Sequence, residues 1–290
     1  MEWQSDWGLR GRMLLTMVLL GVLYVVFVAA LWTVFQSLFA VLLLFGGFTL
    51  AQFLFSDRLA LRSMGASEVE PSEYPDLHQT IERLSQQADL PKPTVAVADS
   101  KTPNAFATGR SQDSATVCVT TGLLTRLNDE ELEGVLAHEL AHVKNRDVMV
   151  MTIASFLSTI AFLIVRWGWL FTGGNDRNGN IGMIGAIVVS IVVWVVSFLL
   201  IRALSRYREY SADRGGAAIT GNPGALASAL VSIDNEMEAT PSEDLREQAE
   251  MNAFFIIPID KGFVGRIAST HPPTEKRIEK LRDLERELET

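Results

Sequence analysis

The sequence predicts a mainly α-helical membrane protein, four transmembrane helices carrying a cytoplasmic α+β domain with a small sheet. Three observations predict it. The 290 residues are 48% hydrophobic with a mean hydropathy of +0.21, too apolar for a soluble domain of this length. Between Met13 and Ser56 run 44 consecutive residues without Asp, Glu, Lys or Arg, over twice the roughly 20 needed to cross a bilayer as a helix. Two further apolar runs follow, separated from the first by a segment that alternates helical periodicity with short β-branched stretches.

The first run divides near Gln36 and Ser37 into spans at 13–35 and 38–55, joined by a tight turn. Residues 148–171 are apolar except for Arg166, and 181–204 carry no charge before Arg202, so both meet the same length criterion. Arg10, Arg12, Arg58, Arg62, Lys144, Arg146, Arg202, Arg206 and Arg208 flank one side of these spans; the loop 172–180 on the other has only Arg177. The positive-inside rule then puts both termini and residues 56–147 in the cytoplasm. Trp3 and Trp7, with Trp167 and Trp169 opposite, suit interfacial anchoring. The expected order is 1–56, the N-terminal flank and first two spans; 57–147, the first part of the cytoplasmic domain; 148–204, spans three and four; and 205–290, its second part.

In the soluble parts, Pro75 suits the first position of a helix over 75–88, with Leu77, Ile81 and Leu84 on one face. His78 lies on it as a surface or packing residue. Thr94–Ala98 and residues 115–120 read as strands, with a turn at Gly109 and Ser111. Cys118 falls in the second strand as a buried residue, and a single cysteine excludes an internal disulfide. Asn128 offers an N-cap with Glu131 three residues on, opening a helix to about Val143 with Leu132, Val135, Leu136, Leu140 and Val143 on its buried face. Pro223 begins another helix, bearing Leu226, Leu230 and Ile233. The acidic stretch 236–250 reads as a loop and 254–259 (FFIIPI) as a packing segment. A last helix over 274–288 packs through Ile278, Leu281 and Leu288.

The net charge of −9, from 25 basic and 34 acidic residues, excludes nucleic acid as a partner, because phosphate binding needs a basic patch. The chemistry lies in the capped helix, where His138, Glu139 and His142 form H-E-x-x-H. Residues i and i+4 share a helix face, so both imidazoles reach one Zn²⁺ while Glu139 approaches a water activated by it. A third protein ligand must come from elsewhere. The extended pattern H-E-x-x-H-x-x-G-x-x-H fails, with Asn145 in place of the Gly and Val148 in place of the third His. Glu209 and Asp213, at i and i+4 just past span four, supply a third ligand and an acceptor for a ligand imidazole N–H. Such a pair taken alone also describes a solvated helix face. If both motif and pair sit on cytoplasmic extensions of membrane helices, His142 and Glu209 stand at the same depth, roughly 8–10 Å out.

Residues 138–147 (HELAHVKNRD), 209–217 (EYSADRGGA), 104–109 (NAFATG) and 269–278 (STHPPTEKRI) together resemble the HtpX family of membrane zinc endopeptidases, and more distantly the type 1 CAAX prenyl proteases. The likeness covers nearly the whole chain. It implies a zincin-like protease domain, one zinc on His138, His142 and Glu209, and Glu139 as general base and acid. It also implies cleavage of misfolded or damaged proteins at the cytoplasmic side of the cell membrane, in quality control under stress. His271, in a Pro-flanked loop that the resemblance brings near the site, is the candidate oxyanion donor or substrate contact. Asn104, Ala105 and Phe106, beside a strand, either hold an extended substrate or form a surface loop. Partners are therefore unfolded or membrane proteins and the lipid bilayer; the oligomeric state is not encoded legibly. A CAAX-processing protease and a silent zinc-binding membrane adaptor are the rival readings.

Overall fold

The computed structural model describes residues 6–34, 38–167, 177–239 and 271–289. Trp3, Trp169, the turn at Gln36 and Ser37, residues 240–250 of the acidic stretch, and 254–259 lie outside them. The chain divides into two compact units, one of Asp6–Phe55 and Val150–Leu204, the other of Ser56–Met149 and Ser205–Thr290.

In the first unit, α1 (Trp7–Val34), most of α2 (Leu38–Ser63), α6 (Asp147–Trp167) and the first part of α7 (Arg177–Thr220) cover the four apolar runs. Among the described residues, Trp7–Trp32 and Ile184–Thr220 are long and apolar enough to cross a membrane. Asp147–Phe156 and Ser158–Arg166 qualify if, despite a 43° bend, they count as one span. Leu20, Phe27, Leu31, Ile160, Ala161 and Val193 make this unit's core, and Tyr24 Oη donates to the Ala154 carbonyl at 2.5 Å.

Two sequence expectations fail here. Residues 177–180, assigned to a loop, already belong to α7, because the backbone ladder does not stop where hydropathy does. The motif helix is not an extension of span three. It ends at Lys144, Arg146 takes φ 55°, and α6 starts afresh at Asp147. Glu209 and Asp213, by contrast, do lie on an unbroken continuation of a membrane-type helix.

The second unit is built on a four-stranded sheet, ordered β1-β2-β4-β3, from β1 (Ala66–Glu68), β2 (Thr94–Ala98), β3 (Ala105–Thr108) and β4 (Thr116–Thr120). β2 and β4 are parallel; β1 and β3 pair antiparallel at the two edges. The two central strands match the β-branched runs. The edges escaped sequence reading, and residues 104–106 are buried rather than a surface loop, with β3 registering Ala105 on Val119 and Phe106 on Cys118. Strand alternation then sorts the side chains. Val95, Val97, Val117 and Val119 face the main core, while Ala96, Ala98, Phe106 and Cys118 pack with Ala60 on the other side. Burial pushes the Cys118 thiol up to about 12.

Against the main face pack α3 (Pro75–Gln87), through Leu77, Ile81 and Leu84, and α5 (Asp129–Lys144), through Val135, Leu136 and Leu140. His78 is a packing residue, its Nε2 at 3.0 Å from the Val69 carbonyl. The short α4 (Thr121–Arg126) leads into the capping box, where Asn128 Oδ1 accepts from Glu131 N–H and Glu131 Oε2 from Asn128 N–H. Glu131 Oε1 also accepts from Ser228 and Ser232 of α8 (Pro223–Ala239). Residues 236–239, read as loop, continue this helix. The last helix, α9 (Thr274–Glu289), enters the core through Leu281 with Ile278 and Leu284 beside it, whereas Leu288 is exposed.

Two glycines let α5 be crossed at backbone contact. A Cβ on Gly134 would stand 2.9 Å from Leu226 N, and one on Gly216 of α7 would stand 2.9 Å from His138 N. Ala gains roughly 1 kcal/mol over Gly in a helix interior, so a net loss isolates packing. Gly216→Ala is expected to lower stability by about 1–3 kcal/mol, the usual cost of overpacking, in thermal denaturation of the detergent-solubilised protein; a gain would mean the helices separate freely.

Candidate metal centre

Elements α5, α7 and α9 of the second unit converge on His138, Glu139 and His142. The capping box and the buried Val135, Leu136 and Leu140 set the rotation of α5, which turns the motif away from the sheet core. Contact at Gly216 brings α7 alongside, so that Glu209 and Asp213 face the imidazoles. His138 Nε2 and His142 Nε2 are 3.2 Å apart; Glu209 Oε2 is 3.6 Å from the first and Oε1 3.5 Å from the second. Three donors bound tetrahedrally at 2.0–2.1 Å to one ion stand about 3.3–3.4 Å from each other. The triangle has that size.

The opposite ring nitrogens face carboxylates. His138 Nδ1 lies 3.0 Å from Asp213 Oδ1, and His142 Nδ1 2.6 Å from Asp147 Oδ2. An ionised carboxylate only accepts, so Nδ1 carries the proton in each neutral ring and both Nε2 lone pairs point at one spot. Two lone pairs at that separation repel unless a metal ion or a proton lies between them.

Charge leads to the same conclusion. Glu139, Asp147, Glu209 and Asp213 are all buried, and among the described residues the guanidiniums paired with members of this group are those of Arg208 and Arg277. Arg277, only 1% exposed, places Nη2 at 2.6 Å and Nε at 2.9 Å from the two oxygens of Asp213, with Nη1 3.6 Å from Glu209 Oε2. With both imidazoles neutral, as metal binding requires, and all four carboxylates ionised, the two guanidiniums leave two negative charges, which a divalent cation offsets. The residues fit a metal on both counts.

Titration follows these neighbours. Burial pushes the Glu139 carboxyl up, against the pull of His138 and His142 and of a hydrogen bond from the Ala107 N–H. Burial would raise Glu209 and Asp213 too. The imidazoles of His271, His142 and His138 instead hold Glu209 well below the usual carboxylate range, and Arg277 with His138 lowers Asp213. Burial disfavours the His138 imidazolium, yet Asp213 and Glu209 outweigh it and lift the group to about 9.

The model of Peptidase family M48 matches residues 71–285. The chain belongs to peptidase family M48. It is 54% identical over 290 residues to Protease HtpX homolog 2 of Methanosarcina mazei, covering 99% of each chain. It is 52% identical over 290 residues to the Protease HtpX homolog of Moorella thermoacetica, covering 98% and 97%. Among solved structures, the crystal structure of S. mikatae Ste24p aligns with a TM-score of 0.56 at 19% identity, over 90% of this chain and 62% of that one, which shows a shared fold. This M48 protein is thus an HtpX-like metalloprotease.

The M48 centre draws together five residues singled out from sequence, namely His138, Glu139, His142, Glu209 and Asp213, and His271 joins them with Nδ1 at 3.0 Å from Glu209 Oε2. Asn104, Ala105 and Phe106 are buried in the sheet instead: Asn104 N–H donates to Thr120 Oγ1, and Phe106 packs against the face away from α5. Sequence reading missed Arg277, Asp147 and Arg208. All three lie in or beside the quoted motifs, yet Arg277 reads as one more charge on a charged helix and Arg208 as a flank of a membrane span.

Arg277→Met leaves Asp213 buried without its guanidinium and is expected to cost about 3–5 kcal/mol in denaturation of the metal-free protein; a loss below 1 kcal/mol would show that Asp213 is held by other groups. His138 titrates upward on folding from 6.5. Its contribution to metal-free stability is therefore full below pH 6.5 and disappears as pH rises through about 9. Melting curves from about pH 6 to 10 check this, with His138→Gln expected to abolish that slope.

Proposed function

We propose that this M48 protein is a zinc-dependent endopeptidase of the cell membrane that cleaves unfolded or damaged proteins, membrane proteins among them, at the cytoplasmic face in protein quality control. One observation carries the reading: two imidazole nitrogens and a carboxylate at tetrahedral spacing, with Glu139 between the two histidines. Two nitrogens and one oxygen suit zinc, which leaves its fourth position open in catalytic sites. When bound, zinc supplies Lewis-acid polarisation of a peptide carbonyl and of a water molecule. Glu139 would accept a proton from the attacking water as its oxygen bonds the peptide carbonyl carbon, and return that proton to the amine nitrogen as the C–N bond breaks. A carboxyl raised by burial suits both halves of this exchange.

The Ala107 N–H on Glu139 ties the base to β3, an edge strand. An extended substrate adds beside β3 through main-chain hydrogen bonds. Asn104, Ala105 and Phe106 then contribute backbone and packing, because their side chains are already buried. Asp213 orients His138, and the contact of His271 with Glu209 supports its role as oxyanion or substrate donor. Four spans with both termini cytoplasmic accord with the Lys and Arg distribution. The fold shared with Ste24p favours one second reading, a CAAX-type processing protease acting on prenylated C-terminal peptides.

The test is cleavage of casein by detergent-purified protein with added zinc, alongside Glu139→Gln and a farnesylated peptide. Glu139→Gln is expected to keep the metal and lose about 10²–10⁴-fold in kcat. Equal activity of the variant would assign hydrolysis to another site or a contaminant. Turnover of the farnesylated peptide alone would replace quality control with CAAX processing.

A further inference from the structure

Asp147 is buried beside the metal centre and Arg208 partly buried against it, and neither has a part in the proton transfers above. Asp147 opens α6 immediately after the break at Asn145 and Arg146. One oxygen, Oδ2, receives His142 Nδ1 at 2.6 Å; the other, Oδ1, is paired with Arg208 Nε at 3.0 Å. Arg208 directly precedes Glu209 on α7, and two residues beyond it Ser211 Oγ meets Asn145 Nδ2 at 3.5 Å. The break between α5 and α6 is thus stitched to α7 on both sides of the third ligand.

His142 needs such a hold more than its partner. Its side chain is 14% exposed, against 2% for His138, so packing alone does not fix the ring. A carboxylate is the short side chain with two acceptor oxygens and no donor, able to receive an imidazole N–H and a guanidinium together. Asn would turn its NH₂ toward one of them.

We infer that Asp147, held in place by Arg208, is the positioning residue of His142, aiming Nε2 at the metal and tying that aim to the junction of α5, α6 and α7. It rests on the reading that His138, His142 and Glu209 bind zinc. Partners that orient a metal-bound imidazole are worth 10–100-fold in metal affinity. A pair that served only to clip α6 to α7 would matter through its charges. The two roles separate when the ion pair is removed but the acceptor kept.

The experiment measures zinc affinity by chelator competition, and the visible spectrum of the cobalt-loaded protein, for the full chain in detergent as natural sequence, D147A, D147N and D147N/R208M. D147A and D147N are expected to lose about 10–100-fold in zinc affinity, with a perturbed cobalt spectrum. D147N/R208M, where nothing competes for the amide oxygen, is expected to return to within a few-fold of the natural protein. If the double variant is as weak as D147N, the ion pair itself is what matters and positioning is wrong. Unchanged affinity in D147A also overturns it. Should D147A fail to fold, D147N against D147N/R208M makes the same comparison. Failure of the natural protein to bind zinc would instead refute the metal reading beneath it.

Discussion

Burial of four carboxylates around two imidazoles is the constraint on which the catalytic unit depends. Glu139, Asp147, Glu209 and Asp213 all lie out of water, where each unpaired charge would cost several kcal/mol. Two of the elements that reach the centre bring a guanidinium to answer that charge. α9 brings Arg277, and α7 brings Arg208 along with two of the carboxylates. With the imidazoles neutral, the remaining deficit matches a divalent ion. A metal here is thus part of the electrostatic balance of the fold as well as of its chemistry.

That balance explains the surrounding architecture. Arg277 must be buried, so α9 has to dock, and it does so through Leu281 beside α8. α8 is in turn hydrogen-bonded to α5 through the two serines on Glu131, the residue that also caps α5. One acidic side chain therefore joins helix initiation to helix packing. The sheet supplies the other wall. Its valine face holds α5 in rotation, and its edge strand β3 offers a backbone N–H to Glu139, so that carboxyl is held from a strand while His138, His142 and Glu209 are held from helices.

Much of this was legible from local pattern. The capping box at Asn128 and Glu131, the apolar face of α5 and the two central strands all follow from spacing, because each is an interaction among residues close in the chain. Ligand spacing on one helix is local as well, so His138 and His142 stood out. β1 and β3 did not. They are three and four residues long, rich in alanine, and exist because longer neighbours supply the hydrogen-bond ladder. The break after Lys144 was hidden for a similar reason: Asn145 and Arg146 carry no strong stop signal, and the left-handed φ at Arg146 is sustained by contacts on either side.

By itself the sequence determined the motif helix, the apolar runs and the residue types able to bind a metal, since periodicity, capping and side-chain chemistry act within a few residues. Only the tertiary structure decided which distant groups complete the centre. Glu209 and Asp213 could equally have formed a solvated face; the contact of Gly216 with the His138 backbone turned them inward. Arg277, Arg208 and Asp147 look like ordinary surface or flanking charges until packing sets them against the carboxylates and imidazole of the centre. Burial and charge pairing are properties of elements brought together from far apart in the chain, and no local pattern encodes them.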